Sequence, residues 1–333
     1  METLQNAVAN QRMSASRTAW DDNEYTTRFN RLNGAINNLA FNIRKDWRSL
    51  PQWLEGYVSA DALKTGKQEM TAVGRAIVSR WLVEEIFNKC FHPALDPQLS
   101  SQLKEIELSI RGNAYTMHSQ EEFDALTTKV VNWRMATLDG LQKKFNSTTT
   151  DNRTMFTSKA TSDLTTHLYQ HLTSPPPAGV EGSTSMIAEL AVAIASNLPL
   201  ESRDVAIMYP LPGETVQPHL MEVEKTGLPA LENQKSEVDA GGDDDDDEPD
   251  KDKDKNGRVR GDKAKAGMLT SGSMNALEAG RKGSNASFAE RMSTDRDTRA
   301  GLPNDAGKVR LAGFVALEVR GRQVLIKAPV WTV

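Results

Sequence analysis

Residues 21–43 read DDNEYTTRFNRLNGAINNLAFNI, and this stretch decides the fold class. The apolar residues Tyr25, Phe29, Leu32, Ile36, Leu39 and Ile43 recur at intervals of four, three, four, three and four. That is the spacing of one face of an α-helix, with Asp21 or Asp22 placed to cap its start. With Phe29, Ile36 and Ile43 at heptad a positions and Tyr25, Leu32 and Leu39 at d positions, the pattern also suits a parallel two-stranded coil. Ala35 and Ala40 offer no charged pairing at the flanking positions and widen the stripe, which suits a helix packed within its own bundle. Two roles are therefore open for these six residues: a packing seam inside the fold, or an oligomer seam in a coiled coil over residues 22–46.

Outward from that helix the chain stays helical. A turn-rich stretch around Trp53 and Tyr57 leads to a strongly apolar helix from about Gln68 to Phe91, whose Gly74 allows a neighbour to approach closely and whose end is set by His92-Pro93. Asp96-Pro97 opens a further helix, with Asp as N-cap and Pro where no backbone donor is lost. Ser119 to Glu122 is a capping box and predicts a longer helix through Phe145, followed by a separate one over about Asn152 to Leu172. Pro175-Pro176-Pro177 then favours extended chain, and Ser183 or Thr184 can cap a short apolar helix.

Beyond residue 200 the period changes. Asp204 to Tyr209 and Val216 to Glu224 read as strands around a Pro/Gly turn, and the alternation Val309 to Val319, Arg320-Gly321, Val324 to Val330 reads as a hairpin. Between them, residues 226–307 are too poor in apolar residues to offset the entropy of ordering, which predicts disorder. The expected architecture is mainly α: an N-terminal helical bundle or coiled-coil region, then a small α+β module with an antiparallel sheet interrupted by a disordered insert. The expected boundaries are 1–174 for the helical domain, 175–183 for a Pro-rich linker, and 184–225 plus 308–333 for the module.

The formal net charge of the 333 residues is −5, and the run Asp243 to Lys255 alone, with nine acidic and three basic residues, accounts for −6. The near-neutral remainder gives no electrostatic footprint for nucleic acid or an anionic membrane. The N-terminus lacks the pattern of a secretory leader, no apolar run of membrane-spanning length is evident, and the single cysteine fits a reducing compartment, so a cytoplasmic or nuclear location is expected.

Motifs that carry chemistry are sparse. Asp252 to Lys263 imitates a calcium loop but has Lys263 where the bidentate carboxylate is needed. His167 and His171 sit one helical turn apart without supporting ligands, so no metal is expected there. Cys90 and His92 lie two residues apart, a spacing that turns them in different directions on a helix, and Cys90 reads as a small buried apolar residue. Trp47, Trp53, Trp81 and Trp133 read as core residues. No phosphate loop, nucleophile elbow or dinucleotide fingerprint is present, and no cofactor is expected.

Ser79-Arg-Trp-Leu-Val-Glu-Glu-Ile-Phe-Asn-Lys-Cys-Phe-His-Pro-Ala-Leu-Asp-Pro97, together with Val309-Arg-Leu-Ala-Gly-Phe-Val-Ala-Leu-Glu-Val-Arg-Gly-Arg322, resembles a group of filamentous-fungal helical proteins. The resemblance brings no assigned activity and no site residues. Larger members carry long N-terminal extensions with low-complexity or coiled segments, and it implies that this chain starts within or after them. Two functions are expected from the residues themselves. The first is a noncatalytic intracellular interaction or scaffold protein with a protein partner or a second copy of itself, using helical surfaces and the acidic insert. The second is an enzyme or small-ligand-binding protein whose site lies between the helical region and the sheet.

Overall fold

A computed structural model describes residues 20–65, 68–112, 119–231 and 307–333, apart from the side chains of 142–149. The acidic run and the calcium-like stretch 252–263 lie outside the described residues. The fold is mainly helical with a small β module at its C-terminal end.

Helix α1, Asp22–Asn42, starts where Asp21 accepts a hydrogen bond from the Glu24 amide at 2.7 Å. All six residues of its apolar stripe are at most 2% exposed, packed within the protein's own core. The seam is thus filled by the same chain. Helix α2, Gln68–Leu82, is buried over most of its circumference. It crosses α1 at Gly74, where a Cβ would stand only 3.0 Å from the Cβ of Ala40, so the close approach needs glycine. A π-helical turn, Val83–Phe87, continues α2 and ends with the Asn88 amide bonded to the Val83 carbonyl at 2.9 Å.

Helix α3, Pro97–Gly112, begins at Asp96, whose Oδ1 accepts from the amides of Gln98 and Leu99 at 3.1 Å each. Helix α4, Gln120–Tyr169, begins with the capping box of Ser119 and Glu122. It runs unbroken for 50 residues, on the order of 75 Å at 1.5 Å per residue, where two helices were expected. The weak helix formers at 146–151 do not break it. Just beyond them Asn152 Nδ2 donates to the Ala94 carbonyl and Thr154 Oγ1 donates back to the Thr150 carbonyl.

Helix α5, Val180–Asn197, starts within the stretch expected to be a linker, at Gly179 with φ +86°. It packs against α1 and α4, and its buried Ile187, Ala191 and Ile194 belong to the same cluster as the α1 stripe. The stretch 180–200 is long and apolar enough to cross a bilayer, which the sequence reading overlooked, and half of it is buried inside the fold.

The strands β1 (Val205–Met208), β2 (Met221–Val223), β3 (Val309–Ala312), β4 (Ala316–Val319), β5 (Gln323–Ile326) and β6 (Ala328–Thr332) form two sheets in place of the single antiparallel sheet expected. One has the order β1-β4-β5, antiparallel throughout; the other is β2-β6-β3, with β2 parallel to β6. The turn at Arg320-Gly321 lies between β4 and β5 as expected, with Gly321 at φ +71°. The strand read from Val309 to Val319 is split at Gly313, where a Cβ would meet the Arg75 guanidinium at 2.8 Å. Phe314 is thereby turned into the helical core, 6.3 Å from Phe29 ring to ring.

The segments on either side of 232–306 meet directly. The Gly213 amide donates to the Val309 carbonyl at 2.7 Å, and the Glu224 amide to the Val330 carbonyl at 2.8 Å. Residues 226–231, expected in the disordered insert, belong to the fold: Trp331 Nε1 donates to the Thr226 carbonyl at 3.0 Å and Arg310 Nη1 to that of Pro229. One apolar cluster contains side chains from α1, α2, α4 and α5 together with Leu311, Phe314, Val315, Leu317 and Trp331.

Candidate functional site

The helical region and the β module face each other across a group of charged side chains. On α3, Lys104, Glu107 and Arg111 follow one another at three- and four-residue spacing and therefore share a face. Arg111 grips Asp204, just before β1, through two bonds of 2.6 and 2.8 Å, and Glu107 at 3.0 Å. Arg320, from the β4–β5 turn, comes within 3.6 Å of Asp204 Oδ2, the oxygen that also accepts from Arg111 Nη1. The Glu107 carboxyl is 5% exposed; burial would raise its pKa, but Lys104, Arg111 and Arg134 outweigh burial and lower it. It is a carboxylate at neutral pH.

Arg134 of α4 is different. It is 4% exposed, and its Nη2 donates to the backbone carbonyls of Glu201 at 2.5 Å and Arg203 at 2.9 Å. Its Nε finds no hydrogen-bond acceptor among the described residues; Nε of Arg320 also makes no hydrogen bond there, but stands in ion-pair range of Asp204. Burial lowers the pKa of Arg134, with Glu107 and Asp204 opposing that from beyond ion-pair contact. Carbonyl dipoles solvate the guanidinium here without neutralising it.

Lys104, Glu107, Arg111, Arg134 and Arg320 line a cavity of about 110 Å³, closed by Phe87, Cys90, Leu198 and Val205 among others. Four cations against the two carboxylates of Glu107 and Asp204 leave a local charge of +2. An adjoining group of Asp22, Glu201 and Arg203, in which Arg203 holds both carboxylates, carries −1. The cavity is therefore short of negative charge, and its dimensions suit a phosphate or carboxylate group.

Other sequence candidates are placed differently. His167 and His171 stack edge to face at 5.7 Å, and burial lowers the pKa of each. Among the described residues no group of three or more His, Cys, Asp or Glu gathers as a metal site would. Cys90 is buried with its thiol pushed up to about 11, first by burial, and it contacts Ser100 Oγ at 3.5 Å. His92 is pulled down to about 4, first by burial, and its Nδ1 accepts from the Ala94 amide at 3.1 Å. Neither is charged near neutral pH, so they do not form a thiolate–imidazolium pair. Trp47 and Trp81 are core residues; Trp53 and Trp133 are half-buried against it.

A larger concavity, about 980 Å³, is an open groove between α4 and α5 and lies away from the charged group. Thr154, Thr157, Thr161 and Thr165 line it, and each donates its hydroxyl proton to the carbonyl four residues back at 2.8–2.9 Å. Those donors are already used, so size alone does not make this groove the better site.

The sequence reading passed over Arg134, Arg111 and Glu107. The signal was present in Arg134, which falls at four-residue spacing within the stripe Leu126, Val130, Leu138. A charge in a core register is a request for a partner. No family model, no curated protein and no solved structure matches the chain.

Proposed function

We propose that this is a small-ligand-binding protein, and that the arginine-lined cavity between α3, α4 and β1 receives an anionic group. The observation that carries the reading is Arg134, a buried guanidinium that, among the described residues, has carbonyl partners, an unused Nε and no carboxylate in contact. A charge held this way contributes little to stability, whereas an incoming oxyanion would accept from donors already in place. The scaffold reading has lost its best surface, since the α1 stripe is covered by α2, α5 and the β module.

Isothermal titration with inorganic phosphate and with acetate, at low ionic strength and against chloride as reference, tests this. Saturable binding is expected, with a matching rise in melting temperature as ligand is added. Arg134→Met and Arg320→Met should each weaken it at least about tenfold, the loss expected for a charge-assisted hydrogen bond. Circular dichroism establishes that each variant is folded. Absence of saturable heat and of any thermal shift in the wild-type protein would sink the reading.

A further inference from the structure

A second cavity, of about 210 Å³, lies against the first. Trp81, Ile86, Leu95, Pro97, Phe156 and Ala160 give it an apolar wall. Charged side chains at its edge are engaged with each other, Lys89 with Glu85 at 2.6 Å and Lys159 with Asp163. Cys90 lines both cavities. Beside it, Ser100 lines the apolar cavity, its Oγ accepting from the amides of Phe91 and His92 at 3.0 and 3.1 Å and donating to the His92 carbonyl at 3.1 Å.

The same elements build both sides. In the π-helical turn and the residue after it, Glu85 and Ile86 line the apolar cavity while Phe87 and Asn88 line the charged one. A π turn inserts one residue into a helix and so re-aims the side chains that follow, a device frequent at functional sites. Helix α3 covers both cavities, Pro97, Ser100 and Ser101 on the apolar side and Lys104, Glu107 and Arg111 on the charged side. Neither volume alone reaches the roughly 300 Å³ at which small-molecule sites begin, and the two together do.

Resting on the anion reading above, we infer that the ligand is a small amphiphile, a single-chain carboxylate or similar molecule. Its anionic head sits among Arg111, Arg134 and Arg320, and its apolar tail passes Cys90 to lie against Trp81 and Phe156. The residue common to both cavities is a cysteine, small enough that a change of its rotamer opens the way for a hydrocarbon chain. The thiol stays protonated and apolar in character at neutral pH.

The test is a chain-length series on the full protein: acetate, butyrate, hexanoate and octanoate, with octanol and inorganic phosphate as the two partial ligands, all by isothermal titration. Affinity should tighten about fourfold per added methylene, the value of one buried CH₂, until the tail outgrows the cavity. Octanol should bind far more weakly than octanoate. Ala160→Leu, which occupies part of the apolar cavity, should shrink the octanoate-to-acetate ratio, and Arg134→Met should weaken every carboxylate in the series. Equal affinity from acetate to octanoate would overturn the amphiphile and leave the anion site standing. Octanoate and octanol binding alike, insensitive to Arg134→Met, would overturn both, as would the absence of binding by phosphate and by every carboxylate.

Discussion

His92 shows at the residue scale how burial converts into a measurable property. Its imidazole is 8% exposed and pulled down to about 4 from an ordinary 6.5, with Arg153 adding its charge to the effect of burial. Between those two values the unfolded chain binds a proton that the folded chain refuses, so stability is complete above pH 6.5 and falls as pH drops towards 4. The loss is on the order of 3 kcal/mol, from about 1.4 kcal/mol per pH unit. Denaturant titrations from pH 7.5 to 4.5 should show it, and His92→Gln should flatten most of the slope, leaving the smaller contributions of His167 and His171, which are lowered in the same sense. A wild-type protein equally stable at pH 7 and pH 5 would contradict the burial of a neutral imidazole. In the sequence His92 was legible as a helix terminator before proline and as a poorly placed neighbour of Cys90, not as a buried neutral imidazole. Arg134 and Glu69, by contrast, were visible as charges in otherwise apolar registers, Glu69 beside Met70 and within four residues of Val73. Periodicity reads the side chains that water rejects; it does not say which charge a buried charge will meet. The partner of Glu69 is Arg310, 241 residues away.

At the scale of the element, α1 was the most legible part of the chain because one property, apolar spacing, sets both its conformation and its buried face. What spacing left open was who covers that face. Heptads and bundle helices share the same three- and four-residue intervals, and the deciding partners, Val73 and Ile77 of α2 with Ile187 and Ile194 of α5, lie far along the chain. With Ile36 fully buried in this cluster, Ile36→Asp should unfold the protein by about 4 kcal/mol or more, the range of an unpaired charge in a core, and should not convert a stable dimer into a stable monomer. Light scattering with circular dichroism separates these outcomes, and a folded monomeric variant of a dimeric parent would restore the coiled-coil seam. The capping box of Ser119 and the Asp96 cap were equally legible, since a cap is decided within four residues. The continuity of α4 was not. Local propensity at 146–151 argues for a break, and contacts such as Asn152 to the Ala94 carbonyl are invisible to local reading.

For the whole molecule, the question is whether the β module is a separable domain, as the Pro-rich boundary predicts, or part of one cooperative unit. Leu311, Phe314, Val315, Leu317 and Trp331 lie in the same apolar cluster as Tyr25, Phe29 and Leu168, and the first and fourth of them are wholly buried. Each such side chain is worth about 1.5–3 kcal/mol of transfer free energy. Their joint loss rivals the roughly 5–15 kcal/mol that holds a whole domain folded. A second tie is ionic: Glu69 accepts from the Ser59 amide at 2.9 Å and from the Arg310 guanidinium, with both side chains at most 3% exposed. Removing Arg310 alone would leave a buried carboxylate unpaired, at about 3–5 kcal/mol. Residues 1–231 expressed without the C-terminal segment should therefore show neither near-ultraviolet dichroism nor a cooperative melt, and an added peptide of residues 307–333 should restore both. The peptide supplies β3 to β6 and Arg310 together, so rescue depends on the whole segment: the same peptide with Arg310→Met and Phe314→Ala should fail at equal concentration. A cooperative melt from residues 1–231 alone would show that the helices complete their own core and that the two-domain boundary at 175–183 is real.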